Sequence, residues 1–227
     1  MYIQITTRCN MTCAHCCFAC TAKGKDMSRE DFHKAIAIAK EYGQVITIGG
    51  GEPTLHPLFK EFILHATWEL AGVSESDGMS AVGVITNGSN TEIALTLAKL
   101  AQQGMISAKV SNDEFHDPID PRVYKAFEKP KRDWYSHKED NDNRGINGRS
   151  MFIIPVGRAK GWGNHPTTKC VCNSLFITPY GKVYPCGCKK TSLGHVATGA
   201  NITYEHFQGI CEKNPSYKDE VLNANKD

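Results

Sequence analysis

The run Cys9-Asn-Met-Thr-Cys13-Ala-His-Cys16 places three thiols with gaps of three and two residues, directly after a short apolar strand predicted over Tyr2 to Ile5. Three clustered thiolates can ligate three irons of a four-iron four-sulfur cluster and leave the fourth iron without a protein ligand. An open metal position distinguishes a reactive site from a structural one, because a substrate or cofactor can bind there. A zinc site or a disulfide group is the alternative at this spacing. Cys17 and Cys20 lie just beyond the run. Adjacency of Cys16 and Cys17 makes joint ligation of one cluster awkward, and both extra thiols stay unassigned.

The elements that must position these thiols alternate strand and helix. Val45 to Ile48, Val82 to Ile85 and Ala108 to Val110 are short β-branched or apolar runs. Between them, Ser28 is an N-cap with Asp31 at the third helical position. Phe32, Ala35, Ile36 and Ala39 then line one face, and Gly43 is a stop. Leu58 to Leu70 and Thr91 to Gln103 are also predicted as amphipathic helices. Such alternation predicts a parallel sheet with right-handed crossovers. Unusual residues then fall at successive strand ends. The cysteine run follows the first, Gly49-Gly50-Gly51-Glu52-Pro53 the second, Thr86-Asn87-Gly88 the third and Ser111-Asn112-Asp113 the fourth. In a parallel barrel these positions converge on the carboxyl face, where active sites are built.

Each strand end has a chemical use beside a plainer one. The glycines can bring backbone close to a ligand, or simply serve a turn needing positive φ. Glu52 can anchor its loop or a cation. Thr86-Asn87-Gly88 can be a plain Asn-Gly turn. Ser111, Asn112 and Asp113 carry hydroxyl, amide and carboxylate groups suited to a ribose. Glu114, His116 and Asp117 are read as solvated loop residues, with substrate acid–base work as the alternative. The polar stretch from Glu128 to Ser150, with Trp134-Tyr135 inside it, reads as a long surface loop, and Met151 to Val156 as the strand that follows.

A second cysteine group closes the sequence. Cys170 and Cys172 precede a predicted hairpin of Leu175 to Thr178, a Pro179-Tyr180-Gly181 turn, and Lys182 to Tyr184; Cys186 and Cys188 follow it. A hairpin brings its ends together, so these thiols can meet, with Cys211 as a further ligand. By count they suit zinc or an iron–sulfur cluster equally.

All ten cysteines lie in these two groups, five in each, with none in the long middle. A disulfide scaffold belongs more often to a short secreted chain, and the chain opens with a strand rather than an export leader. No apolar stretch approaches bilayer length. The expectation is a cytoplasmic protein whose cysteines serve metals. A net charge of +2 neither demands nor excludes a nucleic-acid partner.

Together, the cysteine spacing and Gly50-Gly51-Glu52 resemble the signatures of radical S-adenosylmethionine (SAM) enzymes. The resemblance implies a 4Fe-4S cluster on Cys9, Cys13 and Cys16, with SAM chelating the open iron. It places Gly50, Gly51 and Glu52 at the methionine end of SAM, Asn87 in a strand-end turn common in the family, and Ser111 and Asp113 near the ribose. His15 stands where many members carry an aromatic residue beside the adenine. Gly157-Arg158-Ala159 resembles a further family element, from which Arg158 would meet the SAM carboxylate; a surface salt bridge is the alternative. The tail resembles SPASM and twitch extensions through Cys170, Gly181, Cys186 and Leu193-Gly194-His195-Val196, without the later cysteine run of the full pattern. That implies at most one auxiliary cluster, or zinc, on Cys170, Cys186 and Cys211 with Cys172 or Cys188.

The fold then expected is α/β: a partial (β/α) TIM-like barrel of about five or six parallel strands over residues 1–160, with a small cysteine-rich C-terminal extension over 161–227. The implied function is reductive cleavage of SAM to a 5′-deoxyadenosyl radical that abstracts hydrogen from a peptide, protein or small molecule. Modification of a nucleoside or nucleic acid is the alternative, and a zinc- or cluster-binding regulatory protein is the alternative of another class. Flavodoxin or ferredoxin would supply the electron.

Overall fold

The structure, a computed structural model, describes residues 1–73, 80–128, 143–147, 157–159, 174–187, 189 and 191–207. Strand and helix alternate through the first half as the periodicity requires. Strands β1 (Tyr2–Thr6), β2 (Ile46–Gly50), β3 (Val82–Thr86) and β4 (Ser107–Ser111) are separated by helices α1 (Arg29–Glu41), α2 (Phe59–Glu69) and α3 (Thr91–Gln102). Helix α4 (Pro121–Phe127) follows β4, with Asp120 as its N-cap and Pro121 in its first turn. Strand β5 (Arg144–Asn147) follows α4.

Caps set the helix limits. The Ser28 hydroxyl accepts from Asp31 N at 3.1 Å, and Gly43 takes φ +61 just past the end of α1. Rings of Phe32 on α1 and Phe62 on α2 stack at 3.9 Å. One face of the sheet carries a continuous apolar row: Ile177, Ile3, Ile48, Val84 and Ala108 are register partners across five strands, each almost fully buried. Burying such a side chain contributes about 1.5–3 kcal/mol for the larger members, so this row and the helices over it hold the sheet. Alternation puts Gln4, Thr47, Gly83, Ile85 and Lys109 on the other face.

Among the described residues, β5-β4-β3-β2-β1-β6 run parallel, where β6 is Phe176–Ile177. Antiparallel β7 (Lys182–Tyr184), β8 (Gly194–His195) and β9 (Gly199–Ala200) continue the same sheet. The expected hairpin therefore forms as β6 and β7. It is joined to the core, with Tyr2 N donating to Leu175 O at 2.8 Å. No helix among the described residues is long and apolar enough to cross a membrane.

One expectation fails. The stretch from Glu128 to Ser150 is not all loop, because Arg144–Asn147 pairs with β4. Its entry is fixed by Asn143 N donating to Ala101 O at 3.0 Å, Ala108 N donating to Asn143 O at 3.1 Å, and Arg144 Nη1 donating to Ala126 O at 2.8 Å. Pairing of otherwise open β4 amides and carbonyls decides this edge strand, not an apolar pattern. Trp134, Tyr135 and the strand expected over Met151 to Val156 lie outside the described residues.

Candidate functional site

The cysteine loop leaves β1 and is closed at its base. Thr7 N donates to Lys25 O and Cys9 N to Thr21 O, at 2.8 and 2.9 Å. Below it, the Thr6 hydroxyl donates to Asp26 at 2.6 Å, and Arg8 bridges Asp26 and the Leu55 carbonyl. Within the loop, Cys9, Met11 and Cys20 form a small buried cluster against which Cys13 and Cys16 pack. Met11 N donates to Cys9 Sγ at 3.4 Å, and Asn87 Nδ2 approaches the same sulfur at 3.9 Å. Burial pushes the thiols of Cys9 and Cys13 up, Cys13 to about 11. Cys16 behaves oppositely: a hydrogen bond from the Cys20 thiol, helped by the backbone amides of Cys20 and Phe18, draws it down to about 5.

This donor set fits an iron–sulfur cluster. Three cysteines of one short loop lie in or against a single buried group, with N–H donors from Met11 and Asn87 already directed at Cys9, as a ligating thiolate requires. The glycine run explains how the loop is seated. Gly49 and Gly50 belong to β2, and none of Gly49, Gly50 and Gly51 has positive φ. A Cβ on Gly50 would strike the Thr6 carbonyl, and one on Gly51 would strike the Arg8 carbonyl and Cys9 Cβ. The close approach these glycines permit is to the protein's own cysteine loop, sealed by Gly51 N to Thr6 O and Glu52 N to Arg8 O.

Glu52 is fully buried. Its Oε1 accepts from Thr54 N at 3.1 Å, Thr54 Oγ1 at 2.6 Å and Thr86 Oγ1 at 2.7 Å, and Oε2 accepts from Asn87 N at 2.6 Å. Burial pushes this carboxyl above its usual range, and the four donors oppose the shift. Glu52 thus ties the end of β2 to the end of β3. Asn87, held there, gives Nδ2 to Asn10 Oδ1 at 3.1 Å and to Cys9 Sγ, while its Oδ1 accepts from Ser89 N. The Thr-Asn-Gly segment is a turn whose side chain grips the cysteine loop.

Asp113, just past β4, meets that loop from the other side. His15 Nε2 lies 3.7 Å from Asp113 Oδ2, and His116 Nδ1 lies 2.7 Å from Oδ1, which also accepts from Phe115 N. Ligand atoms of His15, Asp113 and His116 all fall within 4.8 Å of one another. Burial works against ionisation of Asp113, yet the His116 ring and the Phe115 amide hold its carboxyl below the usual range. Burial lowers His15, and its ring packs on Phe115 at 4.7 Å. His116 is therefore an integral partner and not the solvated loop residue expected. Ser111 closes β4 and is half-buried.

Arg158 reaches the carbonyls of the cysteine loop. Its backbone N donates to Cys16 O at 3.1 Å, Nε to Cys13 O at 2.9 Å and Nη1 to Cys20 O at 2.6 Å. Gly157, at φ +62, comes so close that a Cβ would strike the carbonyls of Cys16 and Cys17. The Gly-Arg pair clamps the turn carbonyls of the cysteine loop, and no surface salt bridge of Arg158 is present among the described residues. In the tail, Cys186 is buried. Phe176 stacks on Tyr2 at 5.4 Å and meets Phe18 of the cysteine loop at 5.3 Å, with Lys189 Nζ over both Phe rings. Cys170, Cys172, Cys188 and Cys211 lie outside the described residues.

No curated protein sequence matches the chain significantly. Solved structures do. BtrN in complex with AdoMet and 2-DOIA is 16% identical, covers 97% of this chain and 85% of its own, and superposes with a TM-score of 0.60. Native anSMEcpe with bound AdoMet is 16% identical over 95% and 82% of the two chains, with a TM-score of 0.54. The same protein with AdoMet and the Kp18Cys peptide gives 16% over 91% and 79%, with a TM-score of 0.53. At these identities the likeness shows the fold. The family model described as the Radical SAM superfamily matches residues 3–131.

Proposed function

The chain belongs to the radical SAM superfamily, and from this premise we propose that Cys9, Cys13 and Cys16 hold its 4Fe-4S cluster and that SAM lies across the ends of β1 to β4. Membership makes the chain an enzyme that uses a 4Fe-4S cluster, SAM and a reductant. One-electron cleavage of SAM to methionine and a hydrogen-abstracting 5′-deoxyadenosyl radical is the chemistry those cofactors supply. The observation that carries the site assignment is the direct linkage of the cysteine loop to every neighbouring strand end. Gly51 and Glu52 bond to its backbone, Asn87 reaches Cys9 Sγ, and His15 faces Asp113.

Each residue then has a task. Cys9, Cys13 and Cys16 bind the cluster and leave one metal position to SAM. Gly50 and Gly51 keep the β2 end slim beside it. Glu52 orients Asn87, which donates toward Cys9. Ser111 and Asp113 face the SAM ribose, and His15 lies beside the adenine. Arg158 fixes the shape of the loop rather than pairing with SAM.

The proposed substrate is a peptide, protein or small molecule that gives up a hydrogen atom. Fold neighbours with AdoMet and either 2-DOIA or a peptide bound support this reading. We place the catalytic core in residues 1–160. Residues 161–227 would form the cysteine-rich extension, where Cys170, Cys186 and Cys211 with Cys172 or Cys188 would hold an auxiliary cluster or zinc. Anaerobic reconstitution tests both assignments. Wild type should bind about four irons at the first site, about eight if the tail holds a second cluster, and SAM should perturb the electron paramagnetic resonance of the reduced protein. Cys13→Ala should lose that SAM-sensitive signal. Retention of the signal in Cys13→Ala refutes the ligand assignment.

A further inference from the structure

The sheet face opposite the helices borders a cavity of about 260 Å³ toward the amino ends of β2 to β5. By register, Thr47, Gly83 and Ser107 form one row across this face, and Ile85, Lys109 and Gly145 form the next row toward the carboxyl ends. Small residues keep the wall open. A Cβ on Gly83 would meet nothing closer than 3.3 Å, and the nearest atoms to one on Gly145 would be the Lys109 stem, from 3.4 Å outward. Lys109 therefore lies over β5 and lines the cavity. Among the described residues it has neither an ion pair nor a hydrogen bond, and no carboxylate lines the space. Arg144 borders it too, but sends Nη1 to Ala126 O at 2.8 Å on the helix side. In the row behind Lys109, Ser107 Oγ and Asn143 Nδ2 are buried and make no hydrogen bond. Asn143 stands beside that row, because Ala108 N donates to its carbonyl. Buried polar groups left unpaired are destabilising. An ammonium, an amide NH2 and a hydroxyl can all donate, and what they lack in common is an acceptor.

We infer that this cavity is a substrate subsite in which Lys109, with Ser107 and Asn143, binds an oxyanion group, a carboxylate or a phosphate, of a small-molecule substrate. The inference rests on the proposed function, which sets SAM across the strand ends and leaves the inner wall of the sheet to the substrate. Lys109 precedes Ser111 by two residues, so it lies about 7 Å deeper than the strand end assigned to the SAM ribose. The cavity is smaller than the ~300–1,000 Å³ usual for a whole ligand. It takes the charged end of the substrate and leaves the remainder directed at the strand ends, where hydrogen is abstracted. A lysine ammonium on a flexible stem reads either oxyanion as a point charge, and the neutral donors beside it fix how the group lies.

Thermal unfolding of the anaerobically reconstituted full chain, in a zwitterionic buffer with added inorganic phosphate, succinate or uncharged succinamide, tests the subsite. Phosphate or succinate should raise the melting midpoint of wild type with concentration, as a ligand of the folded state does, and succinamide should not. A shift by phosphate alone assigns a phosphate group, and a shift by succinate alone assigns a carboxylate. Lys109→Met should melt with wild type when no anion is present, because the side chain has no partner to lose. It should bind the effective anion roughly tenfold more weakly, and Lys109→Arg should recover most of the loss. Asn143→Asp, nearly isosteric, sets a carboxylate against the anion and should abolish the shift with Lys109 intact. No shift of wild type by either anion, or an undiminished shift in Lys109→Met or in Asn143→Asp, overturns the subsite. Electron paramagnetic resonance of the same wild-type sample with SAM separates the two readings. A SAM-responsive cluster without an anion shift refutes the subsite alone. An anion shift without a SAM-responsive cluster refutes the cluster assignment and with it the substrate role of the anion site.

Discussion

Replacement of Glu52 by Gln and by Ala separates a structural tie from a contact made only to cofactor. Oε1 serves three donors and Oε2 serves Asn87 N alone. Gln keeps the first three through its carbonyl, but its NH2 group then faces the Asn87 amide. One charge-assisted bond is lost, normally about 1.5–3 kcal/mol, and the Asn87 N–H and the new NH2 are both left without an acceptor. Removing a carboxylate that burial already disfavours offsets part of this, so Glu52→Gln should cost about 2 kcal/mol. Glu52→Ala orphans two backbone amides, Thr54 N and Asn87 N, at about 1–3 kcal/mol each, and leaves a cavity. The threonine hydroxyls can rotate elsewhere, so the total should be about 4 kcal/mol. For a chain of this size each kcal/mol moves the melting midpoint by about 2–4 °C. The expected falls are therefore about 4–8 °C for Gln and about 8–16 °C for Ala. Urea and thermal unfolding of the cluster-free protein, free of any ligand effect, give the comparison. If Glu52→Ala is as stable as wild type, or Gln as damaging as Ala, the buried tie is not what the geometry says.

Other consequences concern the loop and its acid side. Arg158→Lys loses the fixed fork that reaches Cys13 O and Cys20 O, so a chelator should strip iron faster while KM for SAM stays unchanged. Retained iron with a raised KM would instead restore the pairing with the SAM carboxylate. Gly51→Ala puts a methyl into the Arg8 carbonyl and Cys9 Cβ, and should cost about 1–3 kcal/mol by overpacking and lower iron uptake; full iron loading at wild-type stability would contradict the seating of the loop. Asp113 has a depressed carboxyl in the folded chain. Its contribution is therefore complete above the unfolded value of about 3.9 and is lost as pH falls through the folded value. Asp113→Asn should flatten the acid limb of the urea midpoint plotted against pH, and an unchanged limb would refute the His116 pairing.

Local signals made the parallel sheet legible. Ser28 and Gly43 bracket α1 as their chemistry requires, and the apolar runs become β1 to β4 with ends shifted by a residue or two. Strand β5 was hidden because Arg-Gly-Ile-Asn has no apolar alternation; it is made by pairing with β4, by Arg144 bonding to Ala126 O and by Ile146 packing on the core. Position at strand ends drew attention to loops that meet one another in the fold, but not to what their side chains touch. Glu52 ties to Thr86 and Asn87 across 34 and 35 residues of sequence, Asn87 reaches Cys9 across 78, and Arg158 reaches Cys13 across 145. Such contacts depend on tertiary approach, which no local pattern encodes. His116 could have been read from its three-residue spacing to Asp113, which lets a turn bring the pair together. Resemblance pointed Arg158 toward SAM and gave no sign of its bonds to the carbonyls of Cys13 and Cys20, which need donors.

Formation of 5′-deoxyadenosine tests the central claim most directly. The anaerobically reconstituted chain, reduced with dithionite and given SAM, should release 5′-deoxyadenosine and methionine, and Cys13→Ala should release neither. No product from a wild-type chain carrying its full cluster, or equal product from Cys13→Ala, would contradict the account.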